Sequence, residues 1–203
     1  MTIRKGEQWG QPGPLPADGV VVHSDIEARA VITEARRASR DIPTLGLLGG
    51  DLARTCGSMG VLDRLHRDEA QTLPVDLCEV LVDGALHFFV AHLVARRSWL
   101  RGPIVMAMNA QYRGDWNVAP KSHPNDGKIE VFTADPSLGD RWKALPRLKT
   151  GTHLPHPDIS LERTSGIQVD LAPGTKVWLD GESVGPAKTM SIRVVPDALT
   201  VVV

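Results

Sequence analysis

Residues 159–182 read ISLERTSGIQVDLAPGTKVWLDGE. Three strand-like runs, 159–163, 166–171 and 176–179, are separated by turn residues that include Pro173-Gly174, and the stretch closes on Asp180-Gly181-Glu182. Asp-Gly is a favoured hairpin turn because glycine accepts a positive φ. The same grammar extends in both directions. Downstream lie runs at 189–194 and 199–203, parted by Pro196-Asp197. Upstream lie 75–81 and 86–94, joined at Asp83-Gly84, then 104–108, and then 128–132 after Asp126-Gly127. Short strands at regular spacing predict an antiparallel sandwich or barrel over 73–203, with one helix inserted at about 137–148.

The first third reads differently. A β-branched run at 19–22 precedes a helical stripe over 26–40, which Ser24 or Asp25 can cap. A second short strand at 44–48 leads through Gly49-Gly50 into a short helix at 51–56. Strand–helix–strand–helix order belongs to βαβ units. Residues 19–72 are therefore expected to form a reduced α/β remnant, preceded by a flexible arm at 1–18. The whole is an α+β fold.

Composition narrows the function classes. The chain has 203 residues, enough to bury a core, and its 42% hydrophobic content is ordinary for a globular protein. A formal net charge of −1 supplies no field to attract nucleic acid. Two cysteines, Cys56 and Cys78, make neither a disulfide framework nor a zinc site, which predicts small buried hydrophobes and a cytoplasmic setting. No apolar leader is apparent at the start. The longest apolar stretch, 85–95, is interrupted by His87 and His92 and is too short to span a bilayer, so membrane contact would be peripheral.

Several groups could carry chemistry. Asp180 and Glu182 stand two apart, and at strand spacing their carboxylates share a face, as a general base and its partner would. They could equally be two solvated turn charges. His87 and His92 are five apart and would point to opposite sides of one strand. His153 and His156 suit pocket-lining or loop positions, since two histidines alone do not build a zinc site. Arg96, Arg97, Arg101 and Arg113 gather near Trp99 and Trp116. That combination reads either as an anionic-headgroup contact or as a solvated edge.

Residues 106–131 resemble the block N-x-x-y-x-G-x-x-x-A-P-x-A-x-x-x-D-G-x-L-x-V of the diacylglycerol kinase-like lipid kinases, within the NAD kinase-like superfamily. Asn109, Tyr112, Gly114, Ala119, Pro120, Asp126 and Gly127 carry the match. Lys149-Thr150-Gly151-Thr152-His153, the run 177–182 and Val195-Pro196-Asp197-Ala198-Leu199 continue it, so it covers nearly all of 103–203. Earlier, Asp51, Ala53, Arg54 and Gly57 match the segment L-G-x-x-P-x-G-T-x-N-D-x-A-R-x-L-G in a shortened form. Asp25 falls in the position of the family's Gly-Gly-Asp-Gly-Thr nucleotide loop, with His23 and Ser24 where two glycines would stand. Added Cβ atoms there hinder the close backbone approach that phosphates require.

The resemblance implies an ATP- and Mg²⁺-dependent kinase acting on a lipid or other small hydroxyl substrate. It places Asp180 and Glu182 at the lipid hydroxyl, one of them as proton acceptor. Asp25, Gly49, Gly50, Asp51, Arg54 and Asn109 would lie on the nucleotide side. Asp126, the Lys128 carbonyl and His123 would form a structural Mg²⁺ site. The altered glycine loop raises a second reading, a non-catalytic binding or assembly module. Its exposed sandwich edges could pair with a second copy or with a protein partner.

Overall fold

The computed structural model describes residues 8–203. In chain order its elements are β1 (Gln11–Pro12), β2 (Val20–Val22), α1 (Asp25–Arg37), β3 (Leu45–Leu47), α2 (Asp51–Thr55), α3 (Leu62–Leu65), β4 (Gln71–Val82), β5 (Ala85–Phe89) and β6 (His92–Arg96). They continue with β7 (Ile104–Met108), β8 (Tyr112–Arg113), β9 (Trp116–Asn117), β10 (Ile129–Ala134), α4 (Leu138–Thr150) and β11 (Ile159–Thr164). The last four are β12 (Gly166–Asp170), β13 (Lys176–Leu179), β14 (Glu182–Pro186) and β15 (Thr189–Val202).

Two long antiparallel strands, β4 and β15, form the spine. Along one half they are flanked by β5 and β12, and this part faces a six-stranded antiparallel sheet ordered β11-β10-β7-β6-β13-β14. Cys78, Val80, Phe89, Leu93, Ala107, Val131, Leu179 and Ile192 are among the side chains that fill the space between the sheets. Along the other half β1 adds beside β4, while β15 continues into the parallel pair β3-β2. Ala28 and Ile32 of α1 and Leu52 of α2 join Leu47, Val75 and Val201 in a second core there. The α/β part and the sandwich thus share two strands, in an α+β fold built around a β-sandwich.

A bulge between Val195 and Leu199 lets β15 serve both halves. Two separate strands are expected from the sequence there, because proline cannot donate to a ladder. Pairing instead resumes beyond Pro196-Asp197, and a buried acid holds the bulge. Asp76 accepts Asp197 N at 3.0 Å and Gly127 N at 2.7 Å. The 86–94 run also differs from expectation. It divides at Val90-Ala91, where the chain passes from one sheet to the other, so His87 and His92 lie in different sheets rather than on opposite sides of one strand. Residues 88–91 are all apolar because both sides of that crossing are buried. Part of the expected flexible arm, residues 1–7, lies outside the described residues. The remainder is anchored: β1 pairs with β4, Trp9 Nε1 donates to Pro74 O at 3.0 Å, and Leu15 is buried.

Replacing Asp76 by alanine removes the carboxylate that accepts two main-chain donors. Asp76→Ala is expected to lower the unfolding free energy by roughly 2–5 kcal/mol. Urea denaturation measures this, and a loss below about 1 kcal/mol would remove Asp76 from its role at the bulge.

Candidate functional site

Three of the acids singled out in the sequence, Asp25, Asp51 and Asp180, converge where α1 and α2 meet the sandwich. Ser24 is the N-cap of α1 and accepts Glu27 N at 3.2 Å, while Glu27 Oε2 accepts His23 N at 2.7 Å. This variant of the capping box satisfies one free amide of the first turn, Glu27 N, and the amide of His23 just before the helix. It leaves Asp25 to reach α2, where Oδ2 accepts Asp51 N at 2.6 Å and Oδ1 accepts Leu52 N at 3.1 Å. The two glycines make that approach possible. Gly50 has φ 102°, and a Cβ on it would lie 2.5 Å from Asp25 Oδ1. A Cβ on Gly49 would lie 2.5 Å from the His23 carbonyl oxygen.

Asp51 carries the network onward. Its Oδ2 is 3.0 Å from His92 Nε2, and its Oδ1 accepts Gly114 N at 2.8 Å. Arg54 donates to Gly114 O at 2.8 Å and stacks 3.8 Å from the Tyr112 ring centroid. The β8–β9 hairpin is thereby tied to α2. Asp180 sits beneath this layer, 5% exposed. Its Oδ2 accepts Val90 N at 3.0 Å, and its Oδ1 accepts Ala91 N at 2.9 Å and His92 N at 3.1 Å. Asn109 grips the same crossing through Nδ2, which donates to Val90 O and Asp76 O at 2.8 and 3.1 Å. Glu182 goes elsewhere and pairs with Arg29 of α1.

The shared face expected for Asp180 and Glu182 is therefore not formed. Asp180 and Gly181, with φ 50° and 92°, make a two-residue turn, and Glu182 already belongs to the returning strand. The i and i+2 rule holds along one strand and fails across a reversal.

Burial, and then the charge of Asp180, raise the pKa of Asp25 to about 7 against the pull of its two amide donors. Burial likewise raises Asp180, opposed by His92 and by three amides. Burial works on Asp51 in the same direction, but His92, the Gly114 amide and Arg113 outweigh it and hold its carboxyl low. Cys56 and Cys78 are free and buried, and burial pushes both thiols up.

The remaining candidates lie apart from this network. Asp126 pairs with the Arg163 guanidinium and accepts Lys128 N at 3.0 Å. His123 Nδ1 accepts Asn125 N at 3.3 Å, and its ring packs edge-on to Trp9 with centroids 4.5 Å apart. An arginine thus occupies the coordination space of Asp126, and these residues do not fit a Mg²⁺ ion as arranged. His153 lines a cavity under α4, and His156 lies beside Asp140 and Asp158 on the surface. Sequence reasoning missed His92 as a partner of Asp51, and also Arg29 and Asp76. One signal was available for each of His92 and Asp76: a lone polar residue inside an apolar run.

Residues 71–203 match the model of the YegS C-terminal NAD kinase beta sandwich-like domain. The chain belongs to this family. Solved structures extend the likeness to the α/β part of this YegS-type chain. Two structures of a candidate diacylglycerol kinase from Bacillus anthracis str. Sterne superpose with a TM-score of 0.64 at 16% identity, covering 91% of this chain and 77% of theirs. A third, of a diacylglycerol kinase from the same organism, gives 0.57 at 17% identity over 91% and 75%. At such identities the likeness concerns the fold. No curated protein matches. None of the described helices is long and apolar enough to cross a membrane.

A phosphate at the start of α2 of this YegS-type chain would meet two amides that Asp25 already occupies, and at α1 it would meet a Glu27 amide already held by Ser24. It would also meet the carboxylates of Asp25 and Glu27. As arranged, these residues do not fit a nucleotide triphosphate.

If Asp180 holds the sheet crossing together, Asp180→Ala will cost about 3 kcal/mol or more, because three buried donors lose their acceptor. Glu182→Gln, at a mostly exposed pair, will cost less than about 1 kcal/mol. Equal costs in chemical denaturation would contradict the assignment.

The protonation of Asp25 supplies a separate test. The folded chain keeps this proton up to about pH 7, whereas the unfolded chain releases it near the ordinary aspartate value of 3.8. Between those values the folded state binds more protons, so the Asp25 contribution falls as pH rises, by at most about 4 kcal/mol. The stability difference between the native chain and Asp25→Asn should change by more than about 1 kcal/mol from pH 5 to 7.5. Parallel curves would contradict it.

Proposed function

We propose that this chain is a catalytically silent relative of the diacylglycerol kinase-like enzymes, working as a binding or assembly module. One observation carries the reading: the Asp25 carboxylate is seated on the first amides of α2. Phosphoryl transfer depends on positioning the phosphates and neutralising their charge. A fixed carboxyl group at the helix start does the reverse, since it uses the donors and, once ionised above about pH 7, adds negative charge. The capping box at α1 supports the same reading.

The acids that would act on a lipid hydroxyl have structural work. Both oxygens of Asp180 accept main-chain hydrogen bonds, and Glu182 neutralises Arg29. The competing reading, ATP-dependent phosphorylation of a lipid hydroxyl with Asp180 as base, requires a substrate to reach a carboxyl group that is 5% exposed and already accepts three amides.

Calorimetry with Mg²⁺ and millimolar ATP, beside a diacylglycerol phosphorylation assay, separates the two. The silent module gives no binding heat and no phosphorylated lipid. Saturable ATP binding together with turnover that Asp180→Asn abolishes would overturn the proposal.

A further inference from the structure

Arg96 lies on β6, with its guanidinium 4.2 Å from the Trp99 ring centroid and 4.3 Å from that of Trp178. Arg113 on β8 stands 5.2 Å from Trp99 and 5.6 Å from Trp116. The Nε atoms of both are buried without a hydrogen-bond partner. Neither forms an ion pair with a carboxylate among the described residues, although both are partly buried. Asp51, whose charge acts on Arg113, is already engaged by His92 and Gly114. Burial and the proximity of Arg113 both disfavour the charged form of Arg96. Two guanidinium groups are thus held together among tryptophans with no carboxylate hydrogen-bonded to either, and an anion would complete them.

Trp99 and Trp116, edge to face with centroids 5.9 Å apart, also wall a cavity of about 270 Å³ between the six-stranded sheet and α4. Met106, Phe132, Leu145 and Leu148 supply much of the remaining wall. Helix α4 roofs the space without burying any side chain, and Trp142 is 64% exposed. Its start is fixed where Arg141 donates to Trp99 O at 3.0 Å and Gly102 O at 2.6 Å. The cavity is slightly below the roughly 300–1,000 Å³ usual for small-molecule sites, which suits one hydrocarbon chain better than two.

We infer that this face binds an anionic single-chain amphiphile, with its headgroup on Arg96 and Arg113 and its tail in the cavity under α4. Arginine suits this role because its planar fork matches a carboxylate or phosphate with two parallel hydrogen bonds. The inference goes beyond the catalytically silent reading and does not depend on it. A neutral alcohol, which a lipid kinase would phosphorylate, gives the arginines no counter-charge.

The test uses the full chain and dodecanoate below its micelle concentration, followed by calorimetry and by tryptophan fluorescence. Saturable binding at least roughly tenfold tighter than that of dodecanol is expected, a difference of about 1.4 kcal/mol. Acetate should not bind. Arg96→Gln with Arg113→Gln should reduce dodecanoate to the affinity of dodecanol without loss of the thermal transition. If that variant does not fold, a dodecanoate brominated at its tail should quench the native tryptophans more than the plain acid does. Equal affinity for acid and alcohol, no binding of either, or an unquenched brominated complex would overturn the site. Binding confined to anionic vesicles, without monomeric dodecanoate, would assign the arginines to a membrane surface and overturn it as well.

Discussion

The main-chain amides of Asp51 and Leu52 open α2, and the carboxylate of Asp25 takes both. That contact fixes the distance between the two loops that end β2 and β3. It needs glycine at 49 and 50, because a Cβ at either would collide with the opposite loop. It orients Asp51, whose side chain is then free to receive His92 and Gly114 from the sandwich. A short α/β layer with two parallel strands cannot bury much surface alone. Its attachment to the sandwich depends on this polar seam together with the shared strands β4 and β15.

The seam is built from acids that accept hydrogen bonds from main-chain N–H groups. Asp25, Asp76 and Asp180 are all buried, and each accepts at least two main-chain donors. Burial raises all three carboxyls despite those donors. Amides soften the cost of burying a carboxylate without cancelling it. Removing one such acid harms stability through the donors left behind, which is how a structural carboxylate differs from one poised only for chemistry.

Much of the architecture was legible in the sequence. The apolar run at 104–108 and the turn-bounded runs at 159–163 and 176–179 announce strands, and the observed sandwich has strands there. The sheet crossing at Val90-Ala91 was hidden because a chain buried on both sides leaves no polar punctuation. The bulge at Pro196-Asp197 looked like a strand break because the residue that holds it, Asp76, is over a hundred positions away. Asp180 and Glu182 were legible as a notable pair, but their separation was not, since only the positive φ at Asp180 turns one inward and sends the other to Arg29. The arginine–tryptophan group was legible as a cluster, whereas the cavity behind it was not, because α4 comes from another part of the chain.

The central claim is that Asp25 is a buried structural carboxylate occupying the start of α2. The most direct measurement is a carbon-13 NMR titration of the Asp25 carboxyl, with and without millimolar MgATP. The account predicts a midpoint near 7 that the nucleotide does not move. A midpoint near the ordinary aspartate value, or one displaced by MgATP, would contradict it.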